Sequence, residues 1–326
     1  MASGMGSASA SLTHVPSTDV GGVRLGLAAI KAGAPERGCK ARDPPLRAWP
    51  QQGSAVPASA VPLDIRFGEI HLVGFETPNA RYAPADVIPI TLYWQADARS
   101  AIDYSLSLKA ITNDTAVVGS VDSYPGWGSL RTSTWQTGVI YADQYLVPLF
   151  PDARGYSPLR INVHWWQYPD GASLSISENG QPVPAALLPV GAFTDNTPLV
   201  VPENLFTTPP VDFGNTFRLL GYDRRNEALT LLWEASTVPQ ENYTVFVQVL
   251  SEDGIVAQGD APPVLPTQYL RTGEQFITQH TLTTLQTLQG TYPLVVGWYQ
   301  GAQRLATDFP NDSFPLLEIS VPFSEP

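Results

Sequence analysis

A chain of 326 residues is long enough for two domains, and 43% hydrophobic residues suffice for buried cores, so disorder of the whole chain is excluded. The formal charge of −12 is uneven: residues 1–60 hold six basic side chains (Arg24, Lys31, Arg37, Lys40, Arg42, Arg47) against three acidic ones (Asp19, Glu36, Asp43). The remaining 12 basic and 27 acidic residues give a net of −15, a surface that repels phosphate backbones, so no nucleic-acid partner is expected.

Residues 1–60 are rich in Ala, Gly, Ser and Pro without a period of 2 or 3.6, which predicts a disordered lead. The sole cysteine, Cys39, lies in it, so no intrachain disulfide is available. Leu25–Ile30 is too short and follows too long a polar lead for a signal peptide. No run approaches the roughly 18 consecutive apolar residues of a membrane span, so none is expected in this chain. A domain is predicted to start near Pro62.

From there the chain carries 12 Phe, 13 Tyr and all but one of 8 Trp, with Pro and Gly breaking short aromatic and β-branched runs, a pattern that favours strands. An internal repeat organises these runs. Leu72-Val73-Gly74-Phe75-Glu76 recurs as Leu219-Leu220-Gly221-Tyr222-Asp223, and Leu92-Tyr93-Trp94-Gln95-Ala96 as Leu231-Leu232-Trp233-Glu234-Ala235. Ten residues separate Trp94 from Tyr104 and Trp233 from Tyr243, and Val163-His164-Trp165-Trp166-Gln167 matches Val296-Gly297-Trp298-Tyr299-Gln300. Asn113-Asp114 and Glu252-Asp253-Gly254 follow the Tyr104 and Tyr243 runs as hairpin signals. Each copy supplies seven or eight short strands at sandwich spacing. The reading is all-β: two tandem antiparallel β-sandwich domains, immunoglobulin-like or jelly-roll-like, behind the disordered segment. The boundaries are 1–60, 61–204 including a Pro-rich linker, and 205–326. The copies differ by an insertion near Tyr82 to Pro89 and by the Tyr124 to Trp135 loop.

No catalytic constellation emerges. His71, His164 and His280 have no second ligand type at metal spacing, so metal catalysis lacks support and no cofactor is expected. Asp122, Asp143 and Asp260 lie near strand ends, where Asp commonly caps turns. Nucleophile elbows, phosphate-cradling loops and paired carboxylates on a short rigid element are absent as patterns.

Aromatic residues are the remaining feature. Adjacent residues of a strand point to opposite faces, so one ring of Trp165/Trp166, and one of Trp298/Tyr299, enters the core while the other must find cover. Tyr124, Trp127, Trp135, Trp166 and Tyr299 are therefore the candidate ligand-binding residues. Flat exposed rings cover the apolar face of a pyranose, with polar neighbours such as Gln167 or Gln300 on its hydroxyls. The alternative is that these rings pack between the modules or under long loops.

The repeat phrases, ending in Gly290-Thr291-Tyr292-Pro293-Leu294-Val295-Val296-Gly297-Trp298-Tyr299, resemble the soluble β-sandwich regions at the C-terminal end of bacterial (Chloroflexi-type) mannosyltransferase-like membrane glycosyltransferases. The resemblance spans nearly all of residues 64–322. It is closer in the second copy, since the first has Arg160-Ile161-Asn162-Val163-His164-Trp165-Trp166. It implies an extracytoplasmic or cell-surface accessory module, non-enzymatic, with a glycan or a cell-envelope protein as partner, and it carries over no functional residue. A structural or protein-interaction role is the other expectation.

Overall fold

The computed structural model describes residues 51–53, 55–282, 285 and 288–321. The lead expected over residues 1–60 lies outside the described residues up to residue 50. The strands of the first half are β1 (Gln51–Gly53), β2 (Val61–Phe67), β3 (Ile70–Glu76), β4 (Ala80–Tyr82), β5 (Val87–Ala96), β6 (Tyr104–Ile111) and β7 (Val117–Ser123). After these come β8 (Ile140–Pro148), β9 (Tyr156–Gln167), β10 (Ala172–Ser173), β11 (Ile176–Glu178), β12 (Gln181–Pro182) and β13 (Ala186–Thr194). The second half holds β14 (Phe206–Phe213), β15 (Phe217–Arg225), β16 (Ala228–Ala235), β17 (Thr244–Ser251) and β18 (Gly254–Gln258). It closes with β19 (Gln275–Thr281), β20 (Gly290–Gln300), β21 (Gln303–Arg304) and β22 (Phe314–Val321). The described residues contain no α-helix, and hence none long and apolar enough to cross a membrane.

The duplication is visible in the sheets. In the first half β2-β3-β5-β8 lie side by side in one sheet and β7-β6-β9-β13 in another; in the second half β14-β15-β16-β19 and β18-β17-β20-β22 repeat both orders. These pairings are antiparallel. Each half thus runs three strands on one sheet, two on the other, and then crosses back and forth. Irregularities repeat too. The ladder slips at Leu72/Gly74 of β3 and at Leu219/Gly221 of β15, the bulge that the shared Leu-x-Gly phrase encodes. Glycine is needed there by close approach: a Cβ on Gly221 would come within 2.6 Å of the Phe206 carbonyl oxygen, and one on Gly74 within 3.0 Å of that of Val61.

Buried residues from both sheets of each half fall in one hydrophobic cluster, drawn from alternate positions along the strands. In the first, Trp94 and Trp165 meet edge to face at 5.0 Å; in the second, their counterparts Trp233 and Trp298 do so at 4.9 Å. Phe67 and Phe213 pack on Trp94 and Trp233 alike. Such ring pairs contribute about 0.5–1.5 kcal/mol each beyond the area they bury.

Two differences from the sequence reading follow. The chain is paired before Pro62, because β1 lies along the edge of β8. The insertion between β3 and β5 forms β4, which leaves its own sheet to pair parallel with β13 of the other, whereas Asn226-Glu227 alone joins β15 to β16. This crossing requires Gly191: its φ is 137°, and a Cβ there would fall 2.0 Å from the Ala80 carbonyl oxygen.

Candidate functional site

The five candidate rings separate into four environments. Trp135 is only 2% exposed, stacks on Tyr141 at 5.0 Å and packs against Trp94 and Trp165, so it is a core residue and offers no face to a ligand. Its placement has a cause shared by both copies. The hydroxyl of Thr132 accepts from Tyr104 N–H (3.0 Å) and donates to the Ile102 carbonyl (2.7 Å). Thr267 repeats this with Tyr243 N–H (2.9 Å) and the Glu241 carbonyl (2.7 Å). The turn after each threonine drives Trp135, or its counterpart Leu270, inward. The loop asymmetry expected up to Trp135 is therefore confined to residues before Leu130. Trp127 is part exposed and tilts over Tyr145 at 5.7 Å, its indole donating to the Gln144 carbonyl at 3.2 Å.

Register brings Tyr124 and Trp166 together. On the outer face of the sheet β7-β6-β9, Trp166 stands opposite Ser105 of β6 and Ser173 of β10. Ser123 stands opposite Leu106, so Tyr124, still extended at φ −89° and ψ 155°, comes level with Ser105 on the other side. Two strand spacings, roughly 10 Å, separate their backbone positions. Beneath this row runs Asp122–Ser107–His164, and beneath that Ser120–Lys109–Asn162. Ser107 is 4% exposed, and its hydroxyl has no hydrogen-bond partner among the described residues. Burial, helped by the charge of Lys109, holds His164 below the usual histidine range, and its Nε2 lies 3.1 Å from Ser173 Oγ. Tyr168, which the sequence reading passed over, is 64% exposed and meets Trp166 edge-on at 6.0 Å. Strand alternation turns Gln167 away from this face, so the polar neighbours of Trp166 are serines rather than glutamine.

The same strip of the second copy is filled. Phe246 replaces Ser107 and lies against Gly297, which replaces His164. Arg304 caps the Phe246 ring at 4.1 Å and bonds Gln248 Oε1 (3.1 Å) and the Asn311 carbonyl (2.9 Å). Tyr299 is consequently half-buried beside Phe246, at 6.4 Å, and borders no open polar strip.

A buried carboxylate fixes the turn that carries Tyr124 and Trp127. Asp143 Oδ2 accepts from Gly126 N–H (2.9 Å) and Tyr145 O–H (2.5 Å), while Oδ1 has no partner among the described residues. Burial pushes this carboxyl up to about 6 despite those bonds. His280, also held low by burial, lies between the Gly259 carbonyl (2.7 Å) and Thr278 Oγ1 (2.8 Å). Among the described residues no cluster of three or more His, Cys, Asp or Glu is placed to hold a metal ion.

The insertion joins the two halves. Arg81 of β4 pairs with Glu274 at 2.5 Å, their side chains 13% and 16% exposed, and also donates to Thr194 Oγ1 (3.0 Å) and the Tyr269 carbonyl (3.2 Å). Glu274 accepts further from Arg271 N–H (3.0 Å) and Tyr156 O–H (3.2 Å), and Tyr269 bonds Asn79. Beside this clamp opens a cleft of about 720 Å³, walled by the linker Thr194–Val200, Pro263–Leu265 and Arg271–Ile277. Tyr156 and Tyr269 are the rings at this junction, not the candidates named from the sequence.

No family model matches the chain, and no curated protein matches it. A solved DUF4785 family protein from Legionella pneumophila is similar at 11% identity, over 77% of this chain and 58% of that one, with a TM-score of 0.21. The chain spans less than two thirds of that protein, and a likeness so slight carries no argument about function.

Proposed function

We propose that this chain is a non-enzymatic binding module of the bacterial cell envelope that takes neutral carbohydrate on the outer face of its first half, between Tyr124 and Trp166. Each half is read as an antiparallel β-sandwich, immunoglobulin-like or jelly-roll-like, with two facing sheets over one core. The observation that carries the binding reading is the placement of the exposed Tyr124 ring and the part-exposed Trp166 ring two strands apart on the face that also carries Asp122 and His164. Aromatic faces and close polar groups together suit a sugar, whose rings present C–H faces edged by hydroxyls. The net charge of −15 over residues 61–326 disfavours acidic glycans. An extracytoplasmic setting follows from the resemblance to the glycosyltransferase regions.

The test is calorimetric titration of the full chain with neutral hexose oligosaccharides and with uronic-acid oligosaccharides. Wild type should bind the neutral set. Trp166→Ala should weaken binding about tenfold or more, a loss of about 1.4 kcal/mol or more. Ser107→Phe combined with His164→Gly, which copies the filled strip of the second half, should abolish it, with a melting curve showing that the double variant stays folded. Absence of any sugar binding, or full binding by the S107F/H164G variant, overturns the proposal.

A further inference from the structure

The two halves differ at one strand edge. In the first, β1 lies antiparallel on β8, with Gln51 opposite Ala142 and Gly53 opposite Ile140. Ile140 and Ala142 stand opposite Gln95 and Tyr93 of β5, just as Gln275 and Ile277 of β19 stand opposite Glu234 and Leu232 of β16. The edge that β1 covers in the first half thus corresponds to Gln275–Ile277 in the second.

That second edge is open. Ala235 N–H bonds the Glu274 carbonyl and Leu282 N–H bonds the Glu227 carbonyl, both at 2.9 Å. Antiparallel alternation therefore turns the main-chain groups of Phe276, Thr278 and His280 toward β16, and those of Gln275, Ile277 and Gln279 away from it. Among the described residues no strand pairs on that side. Gln275 and Ile277 wall the cleft of about 720 Å³. In sequence the counterpart of β1 is Asn196–Pro198: Gln51 precedes the start of β2 by the same ten residues as Asn196 precedes that of β14. This segment does not pair with β19. Asn196 takes a φ of 59°, Thr197 N–H bonds back to Asp195 Oδ1 at 2.9 Å, and Pro198 has no N–H to donate. The linker so becomes the opposite wall of the cleft.

We propose that the cleft takes an extended peptide segment of a partner protein, added antiparallel to β19 as an extra strand in the place that β1 fills in the first half. The N–H and C=O groups of Gln275 and Ile277, which no strand among the described residues engages, supply main-chain recognition. Leu199, Val200 and Val264 expose apolar surface on the walls, beside Asp195, Arg271 and Glu274, so the segment carries apolar side chains on alternate residues. The volume lies within the roughly 300–1,000 Å³ of established ligand clefts. An exposed strand edge is otherwise a liability that proteins cover, and among the described residues no charged side chain stands on the outward positions of β19.

Amide hydrogen exchange on the full chain tests this. The probe is the synthetic peptide Lys-Thr-Val-Thr-Val-Thr-Val-Lys, with a version N-methylated on alternate residues as control. The peptide should slow exchange of the Gln275 and Ile277 amides about tenfold or more, leave Phe276 unchanged, and lose its effect on N-methylation. Val264→Glu, on an exposed wall, should abolish the slowing without altering stability. Three outcomes overturn the proposal: no slowing by the peptide, slowing that rises with protein concentration in its absence, which assigns the edge to a second copy, or slow exchange already present in dilute free protein, which assigns it to the linker. None of these readouts depends on sugar binding.

Discussion

Replacing Asp143 by Asn isolates a pH-dependent contribution to stability. In the folded chain this carboxyl titrates near 6, against 3.8 ordinarily, because burial disfavours its charge more than Tyr145 and Gly126 favour it. An acid whose folded value is raised contributes stability that is fully present below the unfolded value of 3.8 and lost as pH rises through about 6. At about 1.36 kcal/mol per unit, the loss between pH 4 and pH 8 is roughly 2–3 kcal/mol. His164 and His280 act in the opposite sense over part of this window. Burial holds both below the ordinary 6.5, so the unfolded chain takes up their protons first, and their contribution grows as pH rises toward 6.5. The decisive quantity is therefore the difference in unfolding free energy between wild type and Asp143→Asn, from urea melts at several values between pH 4 and 8. The histidine contributions cancel in that difference. It should shift by roughly 2–3 kcal/mol against wild type as pH rises. A difference constant across this range would refute the assignment of a raised carboxyl to Asp143.

Three further perturbations have expected outcomes. Arg81→Ala leaves Glu274 three-quarters or more buried without its cation, so about 2–4 kcal/mol of coupling between the halves should disappear, and calorimetry should resolve two unfolding transitions in place of one. Thr132→Ala and Thr267→Ala each orphan an N–H and a carbonyl at the entry to β6 or β17. Each should cost roughly 1–3 kcal/mol by denaturant titration, with the two values similar because the bridges are alike. Arg304→Ala should lose about 0.5–2 kcal/mol and raise fluorescent apolar-dye binding by uncovering Phe246.

The repeat was legible because strand interiors carry their own signature. Trp94 and Trp233, or Trp165 and Trp298, sit in period-2 runs whose buried face is dictated locally. Residues outside such runs were not readable in this way. Trp135 follows a turn, and its inward direction comes from a threonine bridging to a segment about thirty residues earlier, a pairing with no sequence period. The Tyr124–Ser105–Trp166 row depends on register among three strands distant in the chain. The sequence signal that could have found it is the set of small polar residues, Ser105 and Ser107, alternating with Leu106 and Leu108 on β6, which marks an outer face that something must cover. The insertion was expected near Tyr82 to Pro89, whereas the extra chain runs over residues 77–86 with β4 at Ala80–Tyr82, and its crossing to the other sheet rests on Gly191, whose unusual backbone is not announced by its neighbours.

Arg81 and Glu274 join the halves through a pair largely shielded from water rather than through a slack tether. A sugar on the face of the first half and a peptide on the edge of the second would then be held at a set separation, and the chain would act as a bracket. Binding at one end would raise the effective concentration at the other only for partners whose own spacing matches. Breaking the clamp would relax that requirement, turning a selective bracket into an indiscriminate one.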